Sequence, residues 1–181
     1  MKLILVTGIQ QTEKNKLLGM SISTLNNGQG YKDFNHINFD GMDSVRNGFI
    51  RLKDAKNSYL SVYDDLENVL NDSKRNAFNL VLDASFALNT SYGYVPLITE
   101  RFFSIFKPDV ILLLENKLED FKDNPREFYS IKEQQEMNKF YCVKFATHFG
   151  IPVKIIKVSR SEIKSTVKEI QNYLLSITRE A

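Results

Sequence analysis

Cysteine and histidine are scarce in this chain of 181 residues, and neither charge is in marked excess. The one cysteine, Cys142, excludes an intramolecular disulfide, and its helical surroundings predict a small buried apolar side chain. His36, His148 and Cys142 do not have the spacing of a zinc site. With 24 basic and 22 acidic residues the net charge is +2, which provides no basis for expecting DNA or RNA binding.

Long apolar runs are missing as well. No stretch approaches the roughly 18 apolar residues that a membrane-spanning helix needs. The first apolar run, Leu3–Val6, is too short for the core of a signal peptide and is followed by a glycine. These features predict one soluble, cytoplasmic domain with no membrane partner, long enough to bury a full hydrophobic core.

Short apolar runs alternate with helical patterns along the chain. The runs predict β-strands at Leu3–Thr7, Asn79–Ala84, Asp109–Glu115 and Pro152–Val158, and an alternating pattern predicts another at Phe34–Phe39. Helices are predicted at Glu13–Leu25, Glu100–Phe106, Ile131–Phe149 and Glu162–Arg179, with two more inside Ser44–Lys74. This alternation indicates a three-layer α/β/α domain with a parallel sheet, a fold that binds ligands beyond the carboxyl ends of its strands.

The segment Gly8–Asn15 follows the first predicted strand and occupies the eight positions of the phosphate-loop pattern G-x-x-x-x-G-K-[ST]. Gly8 and Lys14 match the pattern, whereas Glu13 replaces the second glycine and Asn15 replaces the hydroxyl residue. Glycine lets successive backbone N–H groups approach a phosphate, so the change at Glu13 weakens the pattern. Taken alone, the segment is better explained as an ordinary strand-to-helix turn with a solvated lysine.

Further segments resemble archaeal-type adenylate kinases, in the same order and at similar spacing along nearly the whole chain. The opening KLILVTGI is one, and the others are Tyr31–Phe39, Val81–Pro96, Lys107–Glu115 and Glu133–Lys157. The most specific matches are the Gly-Tyr-x-Pro turn in VLDASFALNTSYGYVP and the Gln-x-Met-Asn helix in EQQEMNKF. The resemblance implies one P-loop kinase-like domain over residues 1–181, with a five-stranded parallel sheet of strand order 2-3-1-4-5. It also implies an AMP-binding-like helical segment near residues 40–75 and a shortened lid near residues 116–130.

The same resemblance implies roles for individual residues. Lys14 takes the place of the loop lysine, and Arg51 and Arg126 take the places of arginines that clamp phosphoryl groups during catalysis. Asp83 takes the place of a carboxylate that organises Mg²⁺ through water. The nucleotide-binding positions it implies are Gly8, Asp83, Tyr92, Gly93, Tyr94 and Pro96. The residues alone leave structural explanations open: a solvated helix arginine for Arg51, a turn carboxylate for Asp83, and an aromatic-anchored loop for residues 92–96.

The resemblance implies a nucleoside monophosphate kinase that converts ATP and AMP to two ADP with Mg²⁺. Each lost phosphate-binding group costs about two to three decades in rate, so the altered loop and arginine-poor lid predict weak or lost catalysis. The alternative is an inactive kinase-fold protein, either a nucleotide sensor or a protein-interaction subunit whose partner the sequence does not name. We expect binding of AMP to be better retained than binding of ATP. The family resemblance also implies self-association into a homo-oligomer.

Overall fold

The computed structural model describes residues 1–28, 34–41, 66–76, 78–90 and 93–179. Its strands are β1 (Leu3–Thr7), β2 (Phe34–Asn38), β3 (Asn79–Asp83), β4 (Ala87–Thr90), β5 (Gly93–Pro96), β6 (Val110–Asn116) and β7 (Val153–Val158). Its helices are α1 (Lys14–Asn26), α2 (residues 66–75), α3 (Glu100–Ile105), α4 (Pro125–Phe149) and α5 (Ile163–Arg179). Short 3₁₀ turns lie at Gln10–Thr12 and Leu118–Phe121.

Five of the strands form one parallel sheet in the order β2-β3-β1-β6-β7. Counted among themselves, these five strands have the predicted order 2-3-1-4-5. The other two, β4 and β5, form a separate antiparallel hairpin that the sequence analysis did not predict. Each hairpin strand has only four residues, and the polar Asn89 and Thr90 hide the apolar alternation that would indicate a strand.

Helices cover the sheet on both faces. Successive side chains of a strand point to opposite sides, so each buried apolar strand presents apolar side chains to both helical layers. On one face, Leu5, Leu82 and Leu113 join a core that also contains residues of α2, α3 and α4. On the other face, Ile4 and Val6 join a core with residues of α1 and α5. The three-layer architecture is therefore confirmed. Cys142 lies in the first core, where burial raises the pKa of its thiol to about 12.

Helix α4 begins at Pro125, six residues before the predicted start at Ile131. Its N-cap is Asn124, whose side chain accepts a hydrogen bond from the Glu127 N–H at 3.3 Å. Asn at the N-cap and Pro in the first turn are both strong start signals, so the sequence NPRE carried the correct boundary. The end of the expected lid segment is consequently helical.

Of the two helices predicted inside Ser44–Lys74, only the C-terminal part falls within the described residues. Residues 66–75 are helical, and Leu66 and Leu70 are buried in the core. The remainder of that prediction, which includes Arg51, lies outside the described residues. None of the helices in the described ranges combines the length and the hydrophobicity that crossing a bilayer requires.

Candidate functional site

A cleft of about 920 Å³ opens beyond the carboxyl ends of β1, β2 and β3. Its walls come from the loop after β1, the start of α1, the turn after β2, the end of β3, the β4–β5 hairpin and α4. The cleft lies where a parallel α/β sheet is expected to bind its ligand. Side-chain amides supply much of the polar lining: Gln10, Asn15, Asn38, Asn89 and Gln134.

The loop between β1 and α1 is a 3₁₀ turn that ends in a left-handed residue. The backbone N–H groups of Thr12 and Glu13 donate to the carbonyls of Ile9 and Gln10, each at 3.1 Å. Both groups are therefore bonded inside the loop. Glu13 has φ 51° and ψ 39°, a conformation that favours glycine. The position of the second glycine in the phosphate-loop pattern thus has a glycine-like backbone with a glutamate on it.

The Glu13 carboxylate is exposed and pairs with Lys16 at 2.8 Å. The hydrogen bond from Lys16 holds the pKa of Glu13 below its usual value. The charge of Lys16 is therefore already paired at the rim of the cleft, so Lys16 offers less to an anion than an unpaired lysine would.

Gly8 is required by close packing of the backbone. A Cβ atom at this position would lie 2.7 Å from the carbonyl oxygen of Leu114 in β6, closer than a carbon can approach a fixed backbone atom. The loop therefore leaves β1 directly against the neighbouring strand. The match of Gly8 to the phosphate-loop pattern has this structural cause whether or not a phosphate binds.

Lys14 is buried, with only 6% of the residue exposed. Its Nζ lies 3.3 Å from Asp40 Oδ2, 3.4 Å from Asp83 Oδ1 and 3.1 Å from Ser85 Oγ. We call these four residues the Lys14 cluster. The alternative of a solvated helix lysine is therefore wrong, because the ammonium is held between the ends of β2 and β3.

Asp40 is fixed by Ser85 as well as by Lys14. The Ser85 N–H donates to both carboxylate oxygens of Asp40, at 2.9 and 3.0 Å. The Ser85 hydroxyl lies 2.6 Å from Asp40 Oδ2 and 3.1 Å from the carbonyl oxygen of Gly8. Since a hydroxyl has one proton, it donates to one of these oxygens at a time. Asp40 sits in the turn directly after β2, with part of its side chain open to the cleft.

Asp83 is the last residue of β3, and its side chain is almost fully buried. Burial raises the pKa of Asp83 to about 6, and the nearby Asp40 carboxylate adds to the rise while Lys14 opposes it. Asp83 therefore does more than cap a turn: it is an ion-paired carboxylate at the inner end of the cleft.

Helix α4 braces the site through a buried amide. The side-chain oxygen of Asn138 accepts from the Phe86 N–H at 2.9 Å, and its nitrogen donates to Thr7 Oγ at 3.3 Å. Thr7 directly precedes Gly8, and Phe86 directly follows Ser85. One turn earlier, the Gln135 side chain bonds the backbone N–H and C=O of Asn116. These contacts tie α4 to the ends of β1 and β6.

Comparison with known proteins points to one family. The chain is 23% identical to an adenylate kinase of Methanothermobacter thermautotrophicus, over 96% of this chain and 100% of the relative. An adenylate kinase of Methanopyrus kandleri is 25% identical over 54% of this chain and 57% of its own. One of Thermoplasma volcanium is 23% identical over 59% and 64%, respectively. The chain is therefore adenylate-kinase-like, similar to these archaeal relatives at low identity. No family model matches it.

The Gly-Tyr-x-Pro turn of this adenylate-kinase-like chain is the second strand of the β4–β5 hairpin. Gly93 starts the strand with φ 106°, a backbone conformation that glycine adopts readily. Tyr94 lines the cleft, and Pro96 pairs with Ala87 across the hairpin. The structure therefore brings Tyr94 into the same cleft as Lys14 and Asp83. Pro96 lies in the same hairpin but is not among the residues that line the cleft.

Of the two predicted arginines, Arg126 is the one within the described residues, and the structure does not bring it to the Lys14 cluster. Arg126 lies in the first turn of α4 with an exposed side chain, and it does not line the cleft. Arg51 and Tyr92 lie outside the described residues.

Sequence reasoning missed two residues that shape the candidate site. Asp40 was not singled out, although it follows a predicted strand at its carboxyl end just as Asp83 does. Asn138 was recognised only as part of a motif. Its contacts join α4 to two loops distant in sequence, so they become visible only in the folded chain.

Proposed function

We propose that this adenylate-kinase-like protein binds nucleotides in the cleft beyond β1, β2 and β3, and that it is a nucleoside monophosphate kinase with weak or lost phosphoryl transfer. The observation that carries the proposal is the buried Lys14 ammonium, which the loop after β1 holds beside Asp83 at the end of β3. Three curated relatives named adenylate kinase support the same chemistry.

Lys14 is the cation that contacts phosphate oxygens in this proposal, at the start of a helix whose dipole also favours anions. Tyr94, Asn38 and Asn89 line the cleft from the β4–β5 hairpin and the end of β2, and they offer neutral hydrogen-bonding groups for a base and ribose. Because this part of the site does not depend on the altered loop, AMP-type ligands are retained better than ATP. Arg51, Arg126 and Tyr92 remain expected contributors from the family resemblance.

The donor chemistry of the cleft fits Mg²⁺ that arrives with phosphates. Mg²⁺ is usually held by one or two carboxylates together with substrate phosphates and waters. Asp83, with Asp40 close by, supplies carboxylate oxygens for such an ion. Within the described ranges, no three His, Cys, Asp or Glu side chains converge as a metal site made by protein alone. When bound, the ion neutralises phosphate charge.

Weak transfer follows from how the charges are used. Phosphoryl transfer depends on positioning and on stabilising the charge of the transferred group. The N–H groups of Thr12 and Glu13 are bonded within the loop, and Lys14 is shared between two carboxylates. Arg126 is exposed on α4 and does not line the cleft. Each of these features leaves less positive charge and fewer N–H donors for the transferred phosphoryl group. The transition state is therefore stabilised less, in addition to any loss of nucleotide affinity.

A coupled assay of ADP formation from ATP, AMP and Mg²⁺ tests the proposal, with Lys14→Met as the decisive variant. We expect turnover well below the roughly 1–100 s⁻¹ of typical kinases, and a further loss of about a hundredfold in Lys14→Met. Lys16→Met is the matched control, because Lys16 is a neighbouring but exposed lysine. Turnover that survives in Lys14→Met contradicts the role of Lys14, and rapid turnover of the unaltered protein contradicts weakened transfer.

A nucleotide sensor without turnover is the second candidate function. It is favoured by the pairing of Lys14 with two carboxylates, which stabilises a resting state of the cleft. Nucleotide binding together with no detectable ADP formation is the result that selects it.

A further inference from the structure

The Lys14 cluster carries one cation and two carboxylates, so its formal charge is −1 when all three groups are ionised. The described part of the cleft lining as a whole has the same imbalance, with Lys14 and Lys16 against Glu13, Asp40 and Asp83. A phosphate that approaches Lys14 therefore meets net negative charge at short range, where screening by solvent is weakest.

The two carboxylates on Lys14 differ in freedom. Asp83 belongs to the central sheet and is fixed by strand pairing on both sides, to Asn38 of β2 and Val6 of β1. Asp40 lies in a turn, and its side chain is 25% exposed against 3% for Asp83. Of the two, Asp40 is the carboxylate that can leave Lys14 without disturbing the sheet.

We propose that Asp40 is a built-in counter-ion that competes with ligand phosphate for Lys14, so that Asp40 sets the affinity of the cleft for phosphate-bearing ligands. The inference deepens the proposed function and rests on it for the nucleotide. Ser85 holds the competitor in place, because its N–H and O–H groups donate to the same carboxylate that faces Lys14. A ligand phosphate can bind the Lys14 ammonium only when the contact between Asp40 and Lys14 breaks.

The test is a calorimetric titration of Asp40→Asn and the unaltered protein with inorganic pyrophosphate and, separately, with AMP. Pyrophosphate has no nucleobase, so its affinity measures how well Lys14 binds phosphate groups. AMP measures binding of a whole nucleotide. Asparagine keeps an oxygen that can accept the Ser85 N–H and removes the charge. We expect both ligands to bind about tenfold to a hundredfold tighter to Asp40→Asn, the range for one charge-assisted contact.

Two controls separate competition for Lys14 from a general change in charge. Glu13→Gln removes one carboxylate from the same cleft without touching the Lys14 cluster, and it should improve pyrophosphate binding by less than about threefold. Adding Lys14→Met to Asp40→Asn should abolish the gain. Asp40→Ala, which introduces no amide, is the second variant if Asp40→Asn does not fold.

The outcomes distinguish this inference from the proposed function. If AMP binds the unaltered protein and neither Asp40 variant binds pyrophosphate or AMP more tightly, the counter-ion inference is overturned and the nucleotide function stands. If pyrophosphate affinity rises in Asp40→Asn while AMP binds neither protein, the counter-ion is supported and the nucleotide function fails. An equal gain in Glu13→Gln, or no binding of either ligand to any variant, overturns the inference.

Discussion

At the scale of one residue, Glu13 departs from the phosphate-loop pattern because it places a side chain on a left-handed backbone. Its left-handed backbone is costly for a residue with a Cβ, by about 1–2 kcal/mol, and the glycine of the pattern avoids that cost. The sequence predicted a weakened loop from the identity of Glu13. It did not predict that the carboxylate pairs with Lys16 and points to solvent, because that depends on the side-chain direction set by the backbone.

We predict that Glu13→Gly is more stable to urea than Glu13→Ala by about 1 kcal/mol. Both variants lose the exposed ion pair with Lys16, so their difference isolates the left-handed backbone. Denaturation curves at neutral pH measure it. A less stable glycine variant, as expected at an ordinary helical position, would show that residue 13 is not left-handed in solution.

The raised pKa of Asp83 predicts that its contribution to the free energy of unfolding changes with pH in the direction opposite to that of most carboxylates. Its folded pKa of about 6 lies above its ordinary value of 3.8, because burial disfavours the charged form. The folded state therefore binds the proton more tightly than the unfolded chain does. The contribution of Asp83 to stability falls as pH rises from about 4 to about 6 and is constant above that window.

The comparison that isolates this effect is the free energy of unfolding of the unaltered protein minus that of Asp83→Asn. We expect the difference to decrease between about pH 4 and pH 6 and to level off at higher pH. Other carboxylates titrate in both proteins and cancel to first order. A difference that increases with pH would mean that Lys14 outweighs burial and holds the pKa of Asp83 below its ordinary value.

Helix α4 is the element that links the parts of the site. Its first turn follows the 3₁₀ turn Leu118–Phe121. In its middle, Gln134 lines the cleft and Asn138 bonds the loop that follows β3. Phe121 packs with Ile9, the second residue of the loop after β1, in a small apolar cluster. The helix therefore spans from the segment expected to be the lid to the base of the phosphate-loop-like turn.

We predict that Asn138→Leu lowers the free energy of unfolding by about 2–4 kcal/mol, because it leaves the buried Phe86 N–H and Thr7 hydroxyl without their partner. Glu136→Ala on the same helix is the control. Glu136 is exposed and its ion pair with Lys132 is long, at 3.9 Å, so its loss should cost less than about 0.5 kcal/mol. Equal effects of the two changes would contradict a bracing role for Asn138.

Element boundaries were predictable wherever one local signal dominated. The strand patterns located all five strands of the parallel sheet within one residue at each end. At β1, β3 and β6 the pattern is a nearly continuous buried apolar run, which has few alternatives in an α/β fold. The start of α4 was missed although Asn124 and Pro125 signalled it, because the apolar periodicity is weak before Ile131. The β4–β5 hairpin was missed because its strands are short and partly polar.

For the whole molecule, the alternating sequence patterns predicted the layers and the family resemblance implied the strand order, and the structure confirms both. It placed Lys14 and Asp83 at one cleft, and they are 3.4 Å apart. What it could not predict is the charge balance of that cleft. Asp40 and Ser85 reach Lys14 from parts of the chain 26 and 71 residues away, and no local pattern encodes such contacts.

Self-association stays a prediction at this scale, because it was implied by the family resemblance and the described residues do not test it. Sedimentation of the full chain measures it directly.

The central claim is that the cleft binds a nucleotide through Lys14 and retains AMP better than ATP. The most direct test is a calorimetric titration of the full chain with AMP, with ATP and Mg²⁺, and with a bisubstrate dinucleotide, repeated on Lys14→Met and on the Lys16→Met control. We predict that AMP binds more tightly than ATP and that Lys14→Met weakens nucleotide binding by about tenfold or more while Lys16→Met does not. Millimolar or absent binding of all three ligands, or equal binding by the Lys14 variant, would contradict the claim.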